Sequence, residues 1–507
     1  MNKNRLRPRQ MMAPALAVAI ATSGLAACGS SDSGKSGASG SSVVRALLAA
    51  QPATLDPIVG PRSGQVVWAT MLEPLIKLDA DLNMVDSGLV TSWTRTDQTS
   101  WTFKVRPGIS FTNGEKADAA AVANTILLTR DSEASQLKTY FTNIVSAEAP
   151  DATTVVVKTK TPQYDLPELL TTVYLVPPKY YKEKGSEGFA VAPVGTGPYL
   201  WAGSHAGRDM SVKKNPDYWG AKPSNDGVTF SWATEASQRL ALVQSKSVDV
   251  AFDLPPTKAD EAKKAGLDVV STTTAMKIIA FIDSTKAPFK DPKLREAAAL
   301  AIDRDAIVSG IFDGKAVADS GLLNVKPGTE PSRSVTPDPA KAKELVGGAS
   351  PTVQISYPAG QYTNIKEVSE AVGGNLEKVG FKVKYVPLDY GTLTKRIIGR
   401  EVPGVSIFAG VPNVPIPDYF ASGFMKTTSI TGNCPDPKTD KLIAKALQQD
   451  NAEAASPIYD ELNTIGVVDK HCYVPLYRQV FNYATLPNVK GVEFGPLNTV
   501  DFTKTAL

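Results

Sequence analysis

The residues best suited to catalysis or metal binding are scarce. In 507 residues there are two histidines, His205 and His471, and three cysteines, Cys28, Cys434 and Cys472. That supply excludes a four-cysteine zinc site and most histidine-rich metal centres. The short catalytic spellings HExxH, GxSxG and GxGxxG do not occur. Gly29 to Ser36 (GSSDSGKS) is spelled like a phosphate loop. Such a loop works only between a buried strand and a helix that aim its amides, and this one sits in a glycine- and serine-rich stretch with neither. Ser135-Gln136-Leu137-Lys138 and Ser211-Val212-Lys213-Lys214 match the acyl-serine SxxK pattern, but no KTG triplet accompanies them. His205, in Gly203-Ser204-His205-Ala206-Gly207, reads as part of a solvent loop. His471, beside Cys472, reads as packed rather than catalytic, because neighbours in sequence usually point apart. An enzyme has no nucleophile–base set here, and neither a metal nor a cofactor is expected.

Charge narrows the class further. The chain carries 54 Lys+Arg against 51 Asp+Glu, a formal +3. Four of those basic residues (Lys3, Arg5, Arg7, Arg9) precede the first acid, and without them the remainder stands at −1. A near-neutral body argues against nucleic acid as a partner. The basic start is followed by an apolar stretch, Met11 to Leu25, of 15 residues. That is short of the roughly 20 needed to span a bilayer, so residues 1–27 read as a signal peptide. The segment ends in Leu25-Ala26-Ala27-Cys28, which resembles the bacterial lipoprotein signal box and implies that Cys28 carries the lipid. A plain secretory peptide is the alternative. Residues 28–42 then read as a flexible tether whose ends average about 20 Å apart. In an exported body Cys434 and Cys472 are expected to form a disulfide, the alternative being two buried free thiols.

The elements that would position a site read as α/β. Val43 to Ala50, Thr99 to Val105, Ile109 to Phe111 and Thr153 to Lys158 have strand patterns, with Asn113-Gly114 as a hairpin turn. Asp118 is placed as the cap of a helix reaching Leu128. Asp291-Pro292 and Asp338-Pro339 each open a helix with a cap followed by proline, and Asp303 opens another that stops near Gly314. Glu367 to Val379 is amphipathic, ends at Gly380 and feeds the strand Phe381 to Val386, a helix–strand unit of α/β packing.

Eight short motifs follow one another along the chain: Pro52-Ala53-Thr54-Leu55-Asp56-Pro57, Met71-Leu72-Glu73-Pro74-Leu75, Trp101 to Gly108, Phe111 to Gly114, Pro193 to Tyr199, Asn215 to Gly220, Pro288 to Arg295 and Ala301 to Arg304. In this order the chain resembles the family 5 extracellular solute-binding proteins, the peptide/nickel-type receptors of ABC importers. The resemblance runs from about Val43 to the closing Val489-Lys490-Gly491-Val492. Locally the motifs read as scaffold: Gly195 and Gly197 allow a tight turn, Asn215-Pro216-Asp217 a second, and Arg295 or Asp303 supplies helix-end charge.

The resemblance implies a two-lobed periplasmic-binding-protein fold of type II. Lobe I would take 43–78, 193–272 and 485–507, an inserted subdomain 79–192, and lobe II 273–484. It implies an extracytoplasmic lipoprotein on the outer face of the cytoplasmic membrane, working as a monomer with permease subunits and without nucleic acid. The expected ligand is a solute, first a peptide, held between closing lobes; oligosaccharide, nickel chelate or another organic solute follow. Direct nickel binding is disfavoured by the two imidazoles. The other classes open are an exported lipoprotein hydrolase and a solute sensor or chaperone of the same fold.

By position in the family pattern, ligand contacts fall on Arg62 and Ser63 in the loop after the Thr-Leu-Asp-Pro motif, on Tyr140, Tyr390 and Arg396, and on Gly410, Val411, Asn413 and Asp418. Peptide receptors of this family carry Gly-Trp and then an Asp that pairs the peptide's amino terminus. Here Val411 replaces the Trp, and Asn413 or Val414 the acid.

Overall fold

The computed structural model describes residues 42–60, 64–412, 414 and 416–507. Cys28, Arg62, Ser63 and Asn413, with the signal segment and nearly all of the tether, lie outside the described residues.

One mixed sheet of eleven strands runs through the molecule. In chain order its strands are β1 (Val43–Leu48), β2 (Tyr199–His205), β3 (Asp209–Lys214), β4 (Gly227–Trp232), β5 (Val250–Leu254), β6 (Asp268–Ile282), β7 (Val317–Ala318), β8 (Thr352–Pro358), β9 (Lys382–Leu388), β10 (Val405–Gly410) and β11 (Tyr473–Thr485). The spatial order is β9-β8-β10-β6-β11-β5-β1-β4-β3-β2, with β7 laid against β11. The two longest strands, β6 and β11, are antiparallel over nearly their whole length. Their ladder shifts register between Thr273 and Lys277 and again at Ile278/Ile279.

Three apolar cores pack on this frame. The first holds the inner ends of β6 and β11 (Ile278 to Ile282, Tyr473 to Tyr477) with β8, β10 and their helices. The second gathers β1, β4 and β5 with the outer end of β11 (Tyr483, Ala484). The third is built on a separate four-stranded antiparallel sheet, in the order Val90–Asp97, Ser100–Val105, Thr154–Thr159, Ile144–Asp151. The first and third cores exchange residues. Val414 and Ile416, from the segment after β10, are buried in the third core, and Tyr164 is buried in the first. The Tyr164 amide also donates to the Leu447 carbonyl (3.1 Å).

The helix starts fall where the sequence places them. Asp118, Asp291, Asp303 and Asp338 each accept a backbone N–H from the first turn of the helices Ala119–Asp131, Pro292–Ala301, Arg304–Phe312 and Pro339–Val346. Two local expectations are corrected. Ile109 to Phe111 makes only an isolated bridge, Ser110 to Lys116, around the Asn113-Gly114 turn. His205 is not in a loop but ends β2, exposed, with its Nδ1 2.6 Å from Asp209. Arg295 does supply charge at a helix end: its guanidinium donates to the carbonyl of Lys470, which caps the helix Thr464–Asp469, and also to that of Phe289.

Three of the motifs interlock around Glu73. Its buried carboxylate accepts hydrogen bonds from the Thr196 hydroxyl (2.7 Å), the Tyr218 hydroxyl (2.8 Å) and the Trp219 indole N–H (2.8 Å). Gly195 and Gly197 matter here for closeness rather than for turn conformation: a Cβ on either would lie 2.2 Å or 2.7 Å from the Met71 carbonyl oxygen. Arg106 covers the Trp219 ring, 5.2 Å from its centroid.

Candidate ligand-binding crevice

Strands β8, β9 and β10 are parallel, in the order β9-β8-β10. The chain leaves β8 through the helix Ile365–Lys378 to reach β9, then crosses back through the helix Tyr390–Ile398 to β10. The two crossovers run in opposite directions, and in an open α/β sheet the ligand crevice lies at the carboxyl ends of strands at such a reversal.

Four tyrosines collect at those ends. Tyr362 follows β8, Tyr390 follows β9, and Tyr419 follows β10 by nine residues. Tyr140 comes from the short helix Lys138–Phe141 of the third core's region and stacks on Tyr419, centroids 5.9 Å apart. Tyr362 and Tyr390 meet edge to face at 6.4 Å. Burial holds the phenols of Tyr140, Tyr362 and Tyr419 well above the ordinary range. Tyr419 is in hydrogen-bond reach of the Val411 backbone, and Tyr362 of the Ala409 backbone. The hydroxyls stay neutral, so the surface is aromatic with neutral donors and acceptors.

Across the crossing strands, Asp253 to Pro256 at the end of β5 line a small cavity of about 40 Å³ together with Thr363, Tyr477 and Gln479 to Phe481. Asp253 is in the left-handed region (φ 53°), where β5 breaks register with β11. Its Oδ1 is buried without a hydrogen-bond partner, and burial pushes its carboxyl up to about 6 against the pull of the Arg239 cation.

The residues singled out from sequence divide. Tyr140 sits in the crevice, and Val411 (39% exposed) and Tyr390 (47% exposed) stand at its edge. Arg396 is exposed six residues further along the Tyr390 helix. Gly410 is a packing position: a Cβ there would meet the Phe420 ring at 2.4 Å. Asp418 is buried, accepts the Ser422 hydroxyl (2.9 Å), and is pushed up to about 6 by burial. The loop carrying Arg62 and Ser63 is approached by a built segment. The Gly60 amide donates to the Asp56 carbonyl (2.8 Å), and the buried Asp56 carboxylate accepts the Ile58 amide and the Tyr181 hydroxyl. Sequence reasoning missed Tyr362, Tyr419 and Asp253. Only the first two had a signal, since each follows a strand of the parallel set.

Fold and crevice together define a class: a type II periplasmic binding protein, α/β, built on one continuous sheet. The family model for bacterial extracellular solute-binding proteins, family 5 (middle) matches residues 85–432. The chain belongs to that family. It is 28% identical over 466 residues to the glutathione-binding protein GsiB of Salmonella paratyphi A, covering 86% of this chain and 89% of that protein. Among solved structures, the ABC transporter substrate-binding protein CtaP of Listeria monocytogenes superposes with a TM-score of 0.82 at 19% identity, covering 92% of this chain and 99% of that one. The dipeptide-binding protein of Pseudoalteromonas sp. SM9913 in complex with Met-Leu superposes at 0.76 with 20% identity, covering 91% and 99%.

Proposed function

We propose that this protein captures a peptide or peptide-like solute in the crevice at the carboxyl ends of β8 to β10 and delivers it, unaltered, to an ABC importer. The observation that carries the reading is the wall of tyrosines at the sheet's reversal point, in a chain similar to a glutathione-binding protein and, in fold, to a dipeptide-binding protein in complex with Met-Leu. The lobes are those set out from the sequence, and closure would bend β6 and β11, the two strands that continue from the first core into the second. Arg62, Ser63 and Asn413 would complete the contacts, with Arg396 and Val411 at the rim. The protein would work as a monomer on the outer face of the cytoplasmic membrane, anchored through lipid on Cys28. Cys28→Ala should release it into the medium, and unchanged membrane retention would defeat the anchor.

The ligand's amino terminus distinguishes this crevice from that of an ordinary peptide receptor. Between Val411 and Phe420 the one acid is Asp418, and it is buried against Ser422. A blocked or absent amino terminus should therefore be tolerated. Calorimetric titration of the same peptides with free and acetylated amino termini checks this. Equal affinities within about threefold support the reading, and strict dependence on the free amine overturns it. Recovery of cleaved peptide after incubation would overturn the receptor reading itself.

A further inference from the structure

A cavity of about 520 Å³ is lined in part by Ile416 and Pro417, just before Tyr419, and none of the four crevice tyrosines lines it. One wall is Leu78, Leu82, Met84 and Trp93 with Tyr164 and Glu168. The rest of the lining includes Leu323 to Lys326, residues of the helix Ala452–Asn463, and Ile416 and Pro417. Its size is that of an ordinary small-molecule pocket.

Most of the lining is apolar or aromatic, yet three buried polar atoms of lining residues are left without partners: Asn463 Nδ2, Glu168 Oε2 and the Tyr459 hydroxyl. Asn463 is 2% exposed; its Oδ1 accepts the Leu322 amide (2.7 Å), which fixes the amide's orientation and leaves Nδ2 unpaired. Glu168 Oε2 is buried and unpaired as well. Buried polar groups in folded proteins are nearly always satisfied, so a donor and an acceptor left open in one cavity ask for a molecule that supplies the converse pair. Glu168, Glu330 and Asp460 face a single cation, Lys326, which is drawn towards Asn83 Oδ1 at the rim (2.8 Å). Glu330 and Asp460 are engaged by the hydroxyls of Ser320 and Ser332, so Glu168 holds the open acceptor. The aromatic rings of Trp93, Tyr164 and Tyr459 line the same space.

We infer that this cavity is a second binding site, separate from the crevice, for a compact organic cation: a protonated amine on an aromatic or apolar body that also carries a hydrogen-bond acceptor. The amine would meet Glu168, the acceptor Asn463 Nδ2, and the body the rings. The inference goes beyond the receptor reading and does not rest on it.

Tyramine is a suitable probe, and tyrosol, with a hydroxyl in place of the amine, is its uncharged counterpart. Titrations on the full chain are made with and without a saturating peptide. Tyramine should bind in both cases, and Glu168→Gln should weaken it by at least about tenfold while leaving tyrosol unchanged, as loss of a charge-assisted hydrogen bond would. Ser456→Trp, on an exposed rim position of the Ala452–Asn463 helix, should block both probes and leave peptide binding intact, which also shows that the variant folds. The site is overturned by failure of tyramine to bind, by binding that Glu168→Gln does not alter, or by competition between tyramine and peptide. If peptides fail to bind but tyramine does so through Glu168, the receptor reading falls and the cavity site stands.

Discussion

The ring of Tyr140 lies on that of Tyr419, with centroids 5.9 Å apart and planes 24° apart. The pair joins the region built on the four-stranded sheet to the segment that follows β10, at the point where both border the crevice. A stacked pair contributes about 0.5–1.5 kcal/mol beyond its buried area. It also fixes one wall against which a ligand can close.

Tyr419→Ala should therefore weaken peptide binding more than Tyr390→Ala, because Tyr390 is nearly half exposed at the edge and Tyr419 is held by Tyr140, Phe420 and Phe424. A double-mutant cycle of Tyr140→Ala and Tyr419→Ala, read by thermal unfolding without ligand, should show coupling of about 1 kcal/mol. Strictly additive effects would deny the pair any energetic role.

Glu73→Ala should be among the most damaging substitutions outside the crevice. It leaves the Thr196, Tyr218 and Trp219 donors without their acceptor at once, and should cost about 3–5 kcal/mol in chemical unfolding. Glu73→Gln, which keeps an acceptor oxygen, should cost less than half as much. Equal losses for the two variants would assign the effect to volume instead.

That contrast also shows what could be read from sequence. Capped helix starts such as Asp291 and Asp338 were legible because cap, proline and apolar spacing are local signals. The motif containing Glu73 was visible as a pattern, but its role depends on three donors 123 to 146 residues away, and no local rule connects them. Tyr140 and Tyr390 were placed by family position, whereas Asp253 had no signal. Its left-handed backbone and buried carboxyl arise from the break in register between β5 and β11, a property of the assembled sheet. Gly410 was legible as a residue, but the packing reason for glycine there, the Phe420 ring, belongs to the assembled fold.

The disulfide between Cys434 and Cys472 ties the segment leading into the Pro437–Leu447 helix to the start of β11 within the first core. It closes a separation of 38 residues. On the chain-entropy account its loss should cost about 3–4 kcal/mol. The Cys434→Ala/Cys472→Ala variant should melt several degrees lower than the wild type. Under reductant the wild type should approach the variant, and an unchanged melting temperature in both tests would remove the bond from the stability argument.

The last prediction concerns pH and Asp253. Burial raises its carboxyl to about 6 in the folded chain, whereas an unfolded aspartate titrates near 4. Between those values the folded state holds the proton more tightly, so folding is favoured below pH ~4 and that contribution is lost as pH rises through about 6. Asp418, at about 6, and Glu168, at about 7, act in the same direction. His471, whose partly buried imidazole is pushed below its ordinary value, acts oppositely, losing stability as pH falls. The wild-type profile thus mixes signs, and the Asp253→Asn variant isolates one term. Asparagine keeps the shape and tolerates the left-handed backbone. Relative to the wild type, the variant should be nearly neutral at pH 4.5 and more stable by about 1–3 kcal/mol at pH 7.5, where the wild type carries a buried charge whose neighbouring cation, Arg239, offsets burial only in part. Urea unfolding of both proteins at pH 4.5, 6 and 7.5 measures the difference. A gap that stays constant across the three would show that Asp253 does not change its proton occupancy on folding.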